Sequence, residues 1–308
     1  MRKKVSIIGA GNVGATIALL VAQSGIADVV LFDVVEGRPQ GKALDIAEAC
    51  PLWNSSSSIK GTNNYSDTAG SDIIVIVAGF PRKLGMSRSD LLHANAEVVK
   101  GTCIKIAKTS PDSIIIVVTN PMDVMAQLAW KTTEFSCKHV IGMGGILDAS
   151  RLTAFLSWEL NVSPEDVEAL VLGGHGDEMV PLPRFTVVKG IPITELLPKK
   201  KIESLIERTR KGGAEVISLL KSGSAFYAPA SSTFQMVKSI LLDEKRMLPC
   251  AAYLNGEYGI KDIYMGIPVI LGKEGVEKIV EVKLTKEERT QFRKSCASVR
   301  KLIKKLSI

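Results

Sequence analysis

Short apolar runs alternate with longer amphipathic stretches through the first half of this chain. Val5–Ile8, Val29–Phe32, Ile73–Ala78, Ile114–Val118 and Val140–Ile141 are almost continuously apolar. Such runs read as strands buried on both faces, the mark of a parallel sheet. Between them, Val13–Gln23, Arg38–Ala49, Arg88–Lys108 and Met122–Lys131 read as helices. Strand and helix in alternation predict βαβ units and a doubly wound parallel α/β sheet.

The rhythm changes near Gly142. A helix is expected near Asp148–Leu160, then strands near Val167–Leu172 and Phe185–Val188, then long helices at Lys200–Lys221 and Ser231–Asp243. A β-rich stretch follows, Leu248–Leu271, and a last helix over Lys286–Lys305. Within the β-rich stretch, Asn255, Gly256 and Gly259 suggest the turn of a hairpin or meander. The chain therefore divides into a Rossmann-like unit, residues 1–142, and a mixed α+β unit, residues 143–308. No internal repeat or linker is visible.

Composition narrows the class. With 308 residues, 46% of them hydrophobic, a large core is available. No apolar run has the length of a membrane span. The basic start leads to only four residues, Val5–Ile8, before Gly9, too few for a signal-peptide core. A cytoplasmic protein with no membrane partner is expected. Five scattered cysteines form no Cys-x-x-Cys pair, so neither a disulfide framework nor a zinc site is indicated. The net charge of +7 owes much to Arg293, Lys294, Arg300, Lys301, Lys304 and Lys305. Phe292, Cys296, Val299 and Ile303 recur among them at helical spacing, which makes the cations the solvated face of an amphipathic helix. Basic residues are not interleaved with aromatics as in a nucleic-acid surface, so no nucleic-acid partner is expected.

Two motifs carry chemistry. Gly9-Ala10-Gly11-Asn12-Val13-Gly14 follows a strand and opens a helix. Gly9 suits a tight turn, Gly11 a close backbone approach by a pyrophosphate, and Gly14 close helix–strand packing. The helix N-terminus offers free N–H groups and a favourable dipole to the phosphates. Asp33 ends the next strand, nineteen residues after Gly14, where a carboxylate binds a ribose diol and repels a 2′-phosphate. That favours NAD over NADP. The second motif is Gly173-Gly174-His175-Gly176-Asp177, directly after the apolar run Val167–Leu172. An imidazole there is near neutral pKa and suits proton transfer, although a histidine in a glycine turn also serves plain structure.

Three further segments sit where such sheets bind ligands. Arg82, Lys83 and Arg88 lie between Gly79 and the next helix, either as a solvated loop or as a lid over an anion. Asn120, before Pro121, offers donor and acceptor at another strand end, or simply begins a helix. Asp148 and Arg151 share one side of a helix. They can pair with each other, or divide the work: Arg151 clamping a carboxylate and Asp148 orienting His175.

In order and spacing these motifs resemble the lactate/malate dehydrogenase superfamily, nearest its lactate-dehydrogenase-like bacterial malate dehydrogenases. The motifs are Gly9–Gly14, Arg82-Lys83-Leu84-Gly85-Met86-Ser87-Arg88, Thr119-Asn120-Pro121-Met122-Asp123, Leu147-Asp148-Ala149-Ser150-Arg151 and Gly173–Asp177. The likeness runs nearly end to end, and implies an NAD-dependent oxidoreductase of the tricarboxylic acid cycle that interconverts (S)-malate and oxaloacetate, with no metal. It implies His175 as proton donor and acceptor, with Asp148 as its partner. Arg151 would anchor the C1 carboxylate, Arg88 polarise the reacting carbonyl, Asn120 bind the substrate oxygen and Arg82 recognise the second carboxylate. Gly9, Ala10, Gly11, Asn12, Val13, Gly14, Asp33, Asn95, Val118, Thr119 and Asn120 would contact NAD. The Asn120–Pro121 bond is expected to be cis.

Leu84 departs from the family, which commonly has Pro there; no functional group is lost. Arg82 separates malate from lactate, because lactate dehydrogenases of the family typically carry Gln at that place and oxaloacetate has one more charge to pair. L-lactate dehydrogenase is the nearest rival. An NAD-dependent glycosidase would need a metal cluster, and a silent NAD-binding sensor would have lost a site residue. The family forms homodimers and homotetramers, and Arg38–Ala49, with Leu44, Ile46 and Ala47, lies where it buries a subunit contact.

Overall fold

A single nine-stranded sheet runs through both halves of the chain. The structure is a computed structural model that describes residues 2–80 and 88–307, Arg88 by its backbone only. The first half supplies β1 (Lys4–Ile8), α1 (Asn12–Ser24), β2 (Asp28–Phe32), α2 (Arg38–Ala49), β3 (Ile59–Thr62) and β4 (Ile73–Ile76). It continues with α3 (Arg88–Thr109), β5 (Ile114–Val117), α4 (Met122–Thr133) and β6 (Val140–Gly142). Its strands pair in parallel in the order β3-β2-β1-β4-β5-β6. Val5, Ile7, Ile73, Ile74, Val75, Ile76, Ile115, Ile116 and Val117 are fully buried, as the continuous apolar runs require. Each such side chain contributes roughly 1.5–3 kcal/mol of burial.

The second half begins with α5 (Gly145–Leu160), then β7 (Val167–Glu168), β8 (Val171–Leu172), β9 (Val180–Pro181), β10 (Val187–Val188), β11 (Ile191–Pro192) and α6 (Ile193–Leu196). It ends with α7 (Lys199–Leu220), α8 (Tyr227–Leu241), β12 (Arg246–Asn255), β13 (Lys261–Gly272), β14 (Gly275–Ile279) and α9 (Lys286–Lys305). β12, β13 and β14 form an antiparallel meander that joins the parallel sheet where Ala251 pairs with Gly142. α9 opens on a capping box between Thr285 and Glu288 and buries Phe292, Ser295, Cys296, Val299 and Ile303. Its cations face solvent. No helix among the described residues is long and apolar enough to cross a membrane.

Several elements differ from the sequence expectation. Val167–Leu172 is not one strand: β7 pairs with β10 and β8 with β9, in separate small sheets. Phe185 closes a one-turn helix, Pro183–Phe185, before β10. β4 and β5 stop at Ile76 and Val117, and α5 starts at Gly145, one turn before Asp148. β3 and β14 were not anticipated. Both are edge strands of the large sheet, with Gly and Lys in their sequences, and edges need no continuous apolar run.

Candidate active site

β1 and β4 are neighbours in the sheet although β2 and β3 intervene in the chain. The strand order reverses there, and the crevice at the carboxyl ends is the natural ligand site of such a sheet. Gly9 leaves β1 with φ of 114°, and a Cβ on it would lie 2.7 Å from the Ala78 nitrogen. A Cβ on Gly14 would collide with the Gly9 carbonyl oxygen, so α1 can pack onto this turn only with glycine at that place. Gly11 caps α1 without a side-chain hydrogen bond, which leaves the opening amides at Asn12, Val13 and Gly14 for an anion.

Asp33 sits just past β2 and is buried. Its Oδ2 accepts the Ala10 N–H at 2.8 Å and its Oδ1 the Val35 N–H at 2.9 Å. The carboxylate is thus fixed against the glycine turn. Arg38 Nη1 stands 3.8 Å from Asp33 Oδ2, a cation beside the glycine turn that no sequence motif marks. Turn, uncapped helix and fixed carboxylate suit the pyrophosphate and ribose of a dinucleotide.

The ends of β4 and β5 form the other wall. Val118 N–H donates to the Ile76 carbonyl, and Thr119 Oγ1 donates to the Ala78 carbonyl at 2.7 Å. The Asn120–Pro121 peptide bond is cis. Asn95, on α3, is buried; its Oδ1 accepts the Phe80 N–H at 2.7 Å and its Nδ2 donates to the Asn120 carbonyl at 2.7 Å. It therefore ties the exit of β4 to the Asn120 turn. Arg82 and Lys83 lie outside the described residues, and Arg88 is located only as the first residue of α3.

His175 is brought in from the second half. Gly173 pairs with Gly266 on β13, anchoring the turn to the large sheet. His175 Nδ1 lies 2.9 Å from Asp148 Oδ2, and Arg151 Nη1 lies 3.4 Å from Asp148 Oδ1. The two readings of Asp148 and Arg151 thus coexist, with the shorter contact going to the histidine. Asp148 is 1% exposed. Burial alone would lower the His175 pKa; the charge and hydrogen bond of Asp148, helped by Asp123, outweigh it and raise it. With Nδ1 on the carboxylate, Nε2 is the nitrogen left to exchange a proton.

Two contacts to this turn carried no assigned role in the sequence. Asp123 Oδ2 accepts the His175 backbone N–H at 2.8 Å, and Ser295 Oγ accepts that of Gly174 at 2.8 Å. Asp123 stood in the Thr119–Asp123 motif, which was the only available signal; Ser295 gave none.

Known proteins match this chain throughout. Residues 3–142 match the lactate/malate dehydrogenase NAD binding domain, and residues 146–307 the lactate/malate dehydrogenase alpha/beta C-terminal domain. A malate dehydrogenase of Heliobacterium modesticaldum is 55% identical, covering 98% of each chain. The crystal structure of malate dehydrogenase from Cryptosporidium parvum superposes with a TM-score of 0.97 at 43% identity, over 100% of this chain and 99% of that one. The lactate dehydrogenase of the same organism, complexed with lactic acid and NAD, gives 0.97 at 39% identity, over 100% and 98%.

Proposed function

Since the chain belongs to the lactate/malate dehydrogenase family, we propose that it catalyses (S)-malate + NAD⁺ ⇌ oxaloacetate + NADH + H⁺ at the crevice bordered by His175. The observation that carries this reading is the His175–Asp148 pair, 2.9 Å apart beside Arg151. NAD, when bound, supplies the hydride acceptor. Gly9 to Gly14 and Asp33 would hold it, and Asn95, Val118, Thr119 and Asn120 shape the wall near it.

In malate oxidation His175 Nε2 takes the C2 hydroxyl proton, and Asp148 stabilises the resulting imidazolium. In the reverse direction the imidazolium returns that proton to the developing alkoxide. Arg88 and Asn120 stabilise negative charge on that oxygen. Arg151 holds the C1 carboxylate and Arg82 the second one. A buried second carboxylate without a cation would cost several kcal/mol, which favours malate over lactate wherever Arg82 is available.

The working division is residues 1–142 for NAD and 143–308 for substrate, the two sharing one sheet. All five cysteines are free thiols, which supports a reducing, cytoplasmic setting. A homodimer or homotetramer is the assembly we infer from the family, with α2, where Leu44 is exposed, as the face to test. Initial rates of NADH oxidation with oxaloacetate and with pyruvate test the reading. A kcat/KM higher for oxaloacetate by about 10²-fold or more is expected, from one extra charge-assisted pair. Equal or better use of pyruvate would make the enzyme a lactate dehydrogenase, and no turnover of either would leave an NAD-binding protein.

A further inference from the structure

His175 is held through its backbone as well as its ring. The N–H groups of Gly174 and His175 donate to Ser295 on α9 and Asp123 on α4, two helices that pack on each other. Both acceptors are buried, Ser295 completely. A Cβ on Gly174 would press to 2.9 Å from Val299 Cγ2, so the turn is seated tightly on α9. Asp123 Oδ1 is buried and makes no hydrogen bond among the described residues. Such an oxygen is costly, and an uncharged side chain could accept the His175 N–H at lower cost. The charge therefore calls for a role of its own.

Among the described residues, the charged and titratable groups facing this pair come from three helices and the histidine turn itself. Asp148 and Arg151 of α5 face His175, while His175, Asp148 and Cys296 face Asp123, with Arg300 beside Cys296. We propose that Asp123 is a positioning residue for the reaction: with Ser295 it fixes the His175 backbone, and it adds a second negative charge to that of Asp148 beside the imidazole. This rests on His175 being the acid and base. Asp123 and Asn120 lie three residues apart across the start of α4, so one turn of chain serves both the substrate oxygen and the histidine.

The electrostatics follow the geometry. Burial pushes the Asp123 carboxyl up to about 6, against the pull of the His175 N–H and the imidazolium charge. Above that pH the carboxylate is ionised, and its charge joins that of Asp148 in favouring imidazolium over imidazole. Losing it lowers the His175 pKa.

Asp123→Asn, Ser295→Ala and His175→Asn should be assayed in both directions across neutral pH. In Asp123→Asn the alkaline limb of kcat/KM for oxaloacetate should move to lower pH by roughly half a unit or more, and the acid limb for malate should move the same way. Ser295→Ala should lower kcat by about 3–10-fold with both limbs in place, the scale of one hydrogen bond. His175→Asn should lose about 10²-fold or more. Unmoved limbs in Asp123→Asn overturn the proposal even if kcat falls, because a scaffolding defect slows both directions alike. Retained turnover in His175→Asn overturns the acid–base reading with it; a dead His175→Asn beside unmoved limbs overturns the Asp123 role alone. Should Asp123→Asn fail to fold, Asp123→Ser, which keeps an acceptor for the His175 N–H and removes the charge, takes its place: the same downward shift of both limbs is expected, and unmoved limbs overturn the proposal.

Discussion

Burial and charge oppose each other at His175, and charge wins. Desolvation would lower its pKa, yet Asp148 and Asp123 raise it above the usual histidine value. The protonated form therefore persists to higher pH. In the proposed mechanism oxaloacetate reduction needs that form, so its kcat/KM should hold at low pH and fall as pH rises through the raised value. Malate oxidation needs neutral imidazole and should rise over the same interval. Two pH–rate profiles check this, and an oxaloacetate limb centred below the ordinary histidine value would contradict it. The proposed role of Asp33 rests on charge as well. Asp33→Ser should narrow the NAD over NADP preference, since the repulsion of a 2′-phosphate goes and Arg38, 3.8 Å from the present carboxylate, remains. Kinetics with both cofactors check this; an unchanged ratio would remove Asp33 from cofactor choice. Asp33 was legible because its place after β2 follows from the glycine turn. Asp123 and Ser295 were not. Their partners are backbone amides 52 and 121 residues away, and such contacts leave no periodicity or spacing in a sequence.

At the scale of elements, legibility followed burial. The central strands β1, β4 and β5 are buried on both faces, and their apolar runs announced them. β3 and β14 form the sheet edges, where Gly and Lys are tolerated, and they went unseen. β7 to β11 are two-residue ribbons, too short for a period of two to register. Apart from the single-turn α6, the helices were read within a turn or so, most of them from an apolar face opposite a polar one. On α2, Ala43 and Ile46 are buried, while Leu44 is 61% exposed. A second copy of the chain against α2 would cover it. Leu44→Glu should weaken that contact and lower the mass seen by light scattering or sedimentation. An unchanged mass would remove α2 as a subunit contact.

Across the whole molecule, the large sheet joins two kinds of chemistry. Its parallel half presents the glycine turn, Asp33 and the Asn120 turn, while β13 pins Gly173 and so sets His175 against α5. The family motifs announced these parts separately, and the continuous sheet is what assembles them. Substrate choice depends on charge count. Oxaloacetate brings two carboxylates to this site and pyruvate one, with Arg151 assigned to the shared carboxylate and Arg82 to the extra one. The most direct test is the ratio of kcat/KM for oxaloacetate over pyruvate in wild type, Arg82→Gln and Arg151→Lys. In Arg82→Gln, oxaloacetate should lose about 10²-fold or more, the scale of a charge-assisted pair, while pyruvate holds level or improves. In Arg151→Lys both should fall, because an ammonium cannot reproduce the bidentate clamp. Equal losses for the two substrates in Arg82→Gln would contradict the malate assignment.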